Sequence, residues 1–404
     1  MSKESMFKNK KVMNAIYLGV LCSVSYLAVY FARNVLGTVT PQMVEGGYSE
    51  VYIGKASSIY FIFYAIGQLI NGFIGDKIKA KYMISIGLFM AGITNLVFSE
   101  ISLAQPDIAL VVYGFTGYFL SMIYGPMTRV VAENTEPIYA TRCSLGYTFA
   151  SFFGSPLAGV TATFMVWQSV FFASSLSLCI MAVICFSFFM LFEKKGIVNY
   201  SPFARGRERG AGIKALIKRQ IIKFTFISIV TGVVRTTVVF WMPTYISQYL
   251  GFAPDKAAAI FTAATLVISL TTFISVFIYE KLGRNMDLTI RIMFSSATIF
   301  FLLLYLIKQP ALNVVFLVLG IMSSNGAASM LWSRYCPSLR DTGMVSSATG
   351  FLDFVSYIAA AVSSTVFANA ASTIGWGNLI LVWFGLMVFG VIISLPYKRK
   401  SVEV

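Results

Sequence analysis

Three charged side chains lie inside long apolar stretches of this 404-residue chain: Arg33, Arg235 and Asp353. Holding a charge at bilayer depth costs between ~2.5 and ~17 kcal/mol depending on the method of measurement, so residues kept there mark a working site. A guanidinium never deprotonates and presents a planar fork of donors that grips carboxylate or phosphate oxygens in pairs. Two of them facing one cavity suit a tetrahedral oxyanion, with phosphate or a phosphate ester as the natural guest. Asp353, in Thr349-Gly350-Phe351-Leu352-Asp353-Phe354, has no basic residue within a helical turn. Its carboxylate must find a distant partner or hold a proton. It then tempers the site from two positive charges to one or titrates with the working cycle; a structural tie between neighbouring helices is the plainer alternative.

The arginines also repeat. Arg33 precedes Pro41 by eight residues, and Arg235 precedes Pro243 by eight, 202 residues further on. Gly75-Asp76-Lys77 finds a counterpart in Tyr279-Glu280-Lys281, and Arg129 in Arg334, at offsets of 204 and 205. Three offsets between 202 and 205 together fit a duplicated scaffold.

The elements that must position these residues follow from composition. A chain with 57% apolar residues, 12% charged residues and a mean hydropathy of +0.78 belongs in a bilayer. Apolar runs fall at 15–40, 52–75, 83–103, 108–127, 143–164, 168–192, 221–249, 257–279, 289–307, 311–332, 344–367 and 375–396, each long enough to cross ~30 Å of hydrocarbon as a helix. The expectation is an all-α integral membrane protein with twelve transmembrane helices in two six-helix bundles, related by a pseudo-two-fold along the membrane normal. Residues 1–192 form the N-terminal bundle, 193–220 a cytoplasmic linker and 221–404 the C-terminal bundle. The linker holds Gly196, Pro202, Gly206, Gly210 and Gly212. From Ile213 to Lys223 its alternation of Ile213, Leu216, Ile217 and Ile221 with Lys214, Lys218 and Arg219 predicts a basic amphipathic helix on the inner leaflet. At ~1.5 Å per residue, Arg235, Asp353 and Arg33 each come ~18 Å from Lys223, Asp341 and Glu45. Helix one is left with surplus cytoplasmic length, which tilt or a protruding turn must absorb.

Of the 31 lysines and arginines, setting the two buried arginines aside, only Lys55, Lys256 and Lys308 fall on the side opposite the N-terminus. Positive charge in the short loops marks the inner face, so a cell-membrane protein with both termini cytoplasmic is expected. The net charge of +15 is then an orientation signal and not a nucleic-acid footprint. Lys8, Lys10 and Lys11 lead into an apolar stretch too long for a signal-peptide core, which reads as a retained helix. The five cysteines fall in or beside spans and are expected as free thiols. With no histidine in the chain, the usual general base and the commonest metal ligand are missing, and no carboxylate or cysteine cluster has metal-site spacing. Neither an enzyme nor a cofactor is expected. Gly54-Lys55 follows Gly47 at the wrong spacing for a phosphate-binding loop, and Ala56 supplies no hydroxyl.

Arg33 together with Arg235-Thr-Thr-Val-Val-Phe-Trp241-Met-Pro243-Thr244-Tyr245 resembles the organophosphate:phosphate antiporters of the major facilitator superfamily. These are the group of the glycerol-3-phosphate and hexose-6-phosphate transporters, and the resemblance runs through the twelve-span layout. It implies that Arg33 and Arg235 bind the phosphate, that Tyr26, Tyr30 and Tyr64 line the cavity, and that Trp241 joins them. Where the glycerol-3-phosphate type has lysines, this chain has Asn34 and Gln68, which become neutral substrate contacts. Ala150 or Ser151 falls near the place of a missing helix-five histidine, and a neutral residue near Thr265 replaces a helix-eight glutamate. The cavity has therefore lost titratable groups while keeping both guanidiniums. The loop Asn71-Gly72-Phe73-Ile74-Gly75-Asp76-Lys77-Ile78-Lys79-Ala80-Lys81 resembles the superfamily's cytoplasmic signature. It implies a conformational latch of Gly75, Asp76 and Lys77 with Arg129, Glu280 and Arg334.

The function these readings imply is secondary active transport: exchange of a phosphorylated organic solute, of the sugar phosphate or glycerol phosphate class, for inorganic phosphate by alternating access. The protein is expected to act as a monomer among membrane lipids, with no nucleic-acid partner. Two other readings remain open. One is a proton-coupled organic anion symporter on the same fold, with Asp353 carrying the proton; the other is a non-transporting sugar-phosphate sensor.

Overall fold

The computed structural model describes residues 3–102, 104–200 and 211–396, and side-chain surroundings for all of these except 3–9, 40–41, 44, 50–51, 152, 155, 163, 211, 240, 243–244, 254–255, 258–259 and 364–373. Pro202, Gly206 and Gly210 of the linker lie outside the described residues, as do the side chains of Pro41, Pro243 and Thr244.

Hydrocarbon offers the backbone no hydrogen bonds, so an apolar run that crosses it must satisfy its own N–H and C=O groups as a helix. The first half supplies six: α1 (Lys3–Glu45), α2 (Glu50–Gly75), α3 (Ala80–Ile101), α4 (Pro106–Asn134), α5 (Pro137–Phe164) and α6 (Trp167–Lys194). At 43 residues, α1 is longer than a crossing of ~30 Å requires at ~1.5 Å per residue. A short α7 (Ala211–Lys218) follows. The amphipathic pattern continues to Lys223, but the helix stops at Lys218 because Gln220 takes a left-handed conformation (φ 62°) that turns the chain into the seventh span.

That span is built from α8 (Ile221–Val233), a π turn at Val234–Val238, α9 (Val239–Thr244) and a second π turn at Tyr245–Tyr249. α10 (Pro254–Ser269) and α11 (Thr271–Lys281) form the eighth, followed by α12 (Met286–Leu306) and α13 (Pro310–Met330). A third π turn, Leu331–Tyr335, leads into α14 (Cys336–Ser338); α15 (Val345–Thr373) and α16 (Gly375–Ser394) complete the chain. Among the described residues there is no strand, and eleven helical stretches are long and apolar enough to cross a membrane. The twelfth crossing is α5, which packs along α1.

Two compact units emerge. One comprises Met1–Arg219 with Trp332–Phe354, the other Gln220–Leu331 with Val355–Val404. In the first, α2 and α3 pack on α4, α6 packs on α3, and α1 lies against α5 and α6. The opening turns of α15 join this unit where they cross α2 at Gly72 and Gly350. The Gly72 Cα would come within 2.9 Å of any Cβ at position 350, as would the Gln68 carbonyl oxygen at 2.2 Å. Only two glycines permit so close a crossing, the small-residue contact common where helices meet in lipid. In the second unit α12 packs on α13 and α16. There Thr237 Oγ1 donates to the Ala360 carbonyl at 3.2 Å and lies 2.8 Å from Ser363 Oγ, tying the seventh span to the later part of α15.

Candidate functional site

Arg33 projects from α1, half-buried, with its guanidinium carbon 4.9 Å from the ring centre of Tyr64, 5.2 Å from Tyr30 and 5.3 Å from Phe61. Tyr30 lies just under a turn before Arg33 on α1; Phe61 and Tyr64 lie three apart on α2, so two helix faces close an aromatic cage. Each such contact stabilises the cation by about 0.5–1 kcal/mol, and by about 2 kcal/mol where water is excluded. Ring faces stabilise the charge, whereas oxyanions bond to in-plane N–H groups, so the same cation can serve both.

The remaining tyrosines continue from the cage. Tyr26, one turn before Tyr30, meets it edge-on at 5.0 Å, stacks on Tyr124 of α4 at 5.4 Å and meets Tyr147 of α5 edge-on at 6.0 Å. Tyr147 is fixed by a 2.6 Å hydrogen bond with Ser144, and Tyr124 also meets Trp332 at 6.0 Å. Asp353, on α15 within the same unit, is 6% exposed. The first unit thus holds a caged cation, a row of tyrosines leading from it and a buried carboxylate.

The polar neighbours divide. Asn34 donates its side-chain nitrogen to the Tyr30 carbonyl at 2.6 Å, a bond back along its own helix. Gln68 is 1% exposed, and its amide nitrogen meets no hydrogen-bond partner among the described residues. A buried donor in that state costs about 1–3 kcal/mol unless a ligand or water accepts from it.

In the second unit Arg235 occupies the π turn Val234–Val238 and is half-buried, with Trp241 half-buried on α9. A π turn inserts one residue into a helix and swings the side chains beyond it; such turns concentrate at functional positions. Gly232, one turn before Arg235, lies against Ser356 of α15. At the span's end Tyr245 is fully buried and donates to Asn313 at 2.5 Å.

The proposed latch residues also divide. Asp76, 1% exposed at the end of α2, accepts from the backbone N–H groups of Ser346 at 2.9 Å and Ser347 at 2.8 Å, in the first turn of α15. A carboxylate there satisfies orphan donors and meets the positive end of the helix dipole. Burial pushes the Asp76 carboxyl above its ordinary value, against the pull of the two serines and Arg129. Gly75 allows a close approach here: a Cβ would meet Ser346 Oγ at 2.1 Å and Pro126 Cγ at 2.9 Å, so both side chains would have to shift. Arg129 donates to the Gly75 carbonyl at 2.8 Å and pairs with Glu133 at 2.8 Å, and Arg334 donates to the Pro137 carbonyl at 3.2 Å. Lys77 and Glu280 are exposed.

The sequence pattern of the Major Facilitator Superfamily matches residues 22–364. The chain belongs to this superfamily. It is 23% identical over 273 residues to the glycerol-3-phosphate transporter of Bacillus subtilis, a match covering 61% of this chain and 60% of that protein. To the probable hexose phosphate transport protein of Chlamydia trachomatis it is 22% identical over 187 residues, covering 45% and 39%. The chain thus spans less than two thirds of the length of these curated relatives. Among solved structures, the Major Facilitator Superfamily transporter FucP in its outward conformation superimposes with a TM-score of 0.70 at 14% identity, covering 95% of this chain and 100% of that one; the likeness is one of fold. Membership gives the chain the multi-pass membrane fold of this superfamily.

Within this superfamily fold, Phe61, Tyr124, Tyr147 and Trp332 complete the aromatic row although sequence reading singled out none of them. Tyr26, Tyr30 and Arg33 share a helical face at spacings of four and three, which could have directed attention to aromatics on facing helices. Nothing in the local pattern around Tyr124 or Tyr147 separates them from the other tyrosines of the chain.

Proposed function

We propose that this transporter exchanges a phosphorylated organic solute, of the glycerol phosphate or sugar phosphate class, for inorganic phosphate by alternating access. The observation that carries the reading is the caged guanidinium of Arg33, matched in the sequence repeat by Arg235. Each arginine donates paired hydrogen bonds to oxygens of the same phosphate, Gln68 offers its buried amide to the solute, and Tyr26, Tyr30, Tyr64 and Trp241 line its path. The names of the curated relatives support the choice of substrate class. Bound anion neutralises the repulsion between the two guanidiniums and lets the halves close; an empty site resists closure, which is the physical reason for obligatory exchange. Asp76, Gly75 and Arg129 hold the first turn of α15 in one state of the cycle and release it in the other. The chain is oriented with both termini cytoplasmic in the cell membrane and works as a monomer.

Asp353 supports a second reading, proton-coupled symport of an organic anion, with this carboxyl as the proton carrier. Counterflow in proteoliposomes separates the two. External phosphate, with no pH gradient, is expected to release preloaded labelled phosphate. Absence of that release, together with uptake driven by an imposed pH gradient and lost in Asp353→Asn, would transfer the assignment to the symporter.

A further inference from the structure

A second binding surface opens on the outer side of the first unit. Between α1 and α6 lies a cavity of about 870 Å³, at the upper end of the ~300–1,000 Å³ typical of small-molecule sites. Its α1 wall begins with Lys10 and Asn14 and becomes apolar up to Val24; its α6 wall begins at Lys195 and runs through apolar residues back to Met181. Successive lining residues on each wall alternate between three and four positions apart, apart from Ile16, Val20 and Phe192 beside them, so each wall is one continuous helix stripe. From Lys10 to Val24, and from Lys195 to Met181, the rise is about 21 Å on both walls at ~1.5 Å per residue. Half of a bilayer, taken with its headgroup layer, is about 20–22 Å. The groove is therefore one leaflet deep, basic at the headgroup level and apolar from there to the midplane.

Charge sharpens the identity of the occupant. Lys11 pairs with Glu136, and Lys79 and Lys81 pair with Glu193, whereas Lys10 and Lys195 are exposed and take part in none of the described ion pairs. Two ammonium groups outside the ion pairs of the described residues, at the mouth of an apolar, leaflet-deep groove, match one kind of molecule. We propose that this groove holds an anionic phospholipid of the cytoplasmic leaflet, its phosphate between Lys10 and Lys195 and an acyl chain lying along the seam of α1 and α6. The walls accept any acyl chain; the lysines select the headgroup, because a zwitterionic lipid also carries a cation that they repel. The inference rests on the inside-positive orientation and is independent of the transported solute. Because α1 is the helix that carries Arg33, the lipid would brace the outer side of the site helix.

Native mass spectrometry of the full delipidated chain, titrated with phosphatidylglycerol and phosphatidylcholine of matched acyl chains, tests this. A preference of roughly 30-fold for the anionic lipid is expected from two basic contacts, falling to near parity in Lys10→Gln/Lys195→Gln. Lys256→Gln/Lys308→Gln, the same charge loss at the opposite face, should keep the preference. Ile184→Trp, which fills the groove without altering charge, should lower retention of both lipids. Melting temperature and elution profile establish that each variant is folded. A full preference in Lys10→Gln/Lys195→Gln, equal loss in the opposite-face pair, or undiminished retention by Ile184→Trp would overturn the proposal.

Discussion

The two arginines that recur along the sequence sit in different local structures. Arg33 sits on an uninterrupted helix within three aromatic rings, at one end of a row of tyrosines. Arg235 sits on a π turn, in a span tied to α15 through Thr237. Asp76 and Glu280 contrast in the same way: the first is buried as the cap of α15, the second exposed at the end of α11. The same residue type at corresponding places in the sequence thus stands in different local structure in each half. In the first half the cation stands on regular helix among aromatic rings; in the second it stands on a π turn.

If both arginines serve one phosphate, their different surroundings should not protect either. Arg33→Lys and Arg235→Lys each replace a bidentate fork with a point charge, and each is expected to lower phosphate counterflow in proteoliposomes by roughly 100-fold, the ~2.8 kcal/mol scale of a lost charge-assisted bond. A large loss in one and a small loss in the other would turn the difference in surroundings into a difference in role. The latch contrast comes next. Asp76→Ala removes an acceptor from two buried N–H groups and should lower thermal stability by about 2–4 kcal/mol, whereas Glu280→Ala should stay within about 0.5 kcal/mol, as surface changes do; melting curves in one detergent compare them directly. Smaller again is the cage: Tyr64→Phe keeps the ring and should retain phosphate affinity, while Tyr64→Leu should weaken it about fivefold, near 1 kcal/mol. Calorimetric titration reads that difference, and equal affinities would remove the cage from the account.

How far these features could be read in the sequence follows from the physics that sets each. Transmembrane runs are legible because hydrocarbon thickness fixes their length and forbids other backbone forms; the seventh span, read as 221–249, is built as helix and π turn from Ile221 through Tyr249. The charged residues were legible because apolar surroundings make each one conspicuous. Helix rotation was not, since a span apolar on all sides gives no periodicity, and this is why Tyr124 and Tyr147 went unnoticed. Nor were the π turns at Arg235 and Arg334, which depend on one inserted residue in an otherwise regular pattern. The amphipathic stretch after the linker was read too long because Gln220, a residue with no strong turn preference, adopts the left-handed break.

The account stands on one anion being shared by two guanidiniums, and a double-mutant cycle addresses that directly. Phosphate affinity is measured by calorimetric titration for the starting protein, for Arg33→Lys, for Arg235→Lys and for the two changes together. Sharing predicts that the double variant is scarcely weaker than either single one, with a coupling of at least ~1 kcal/mol. Losses that simply add, or an arginine whose replacement leaves phosphate affinity unchanged, would contradict it.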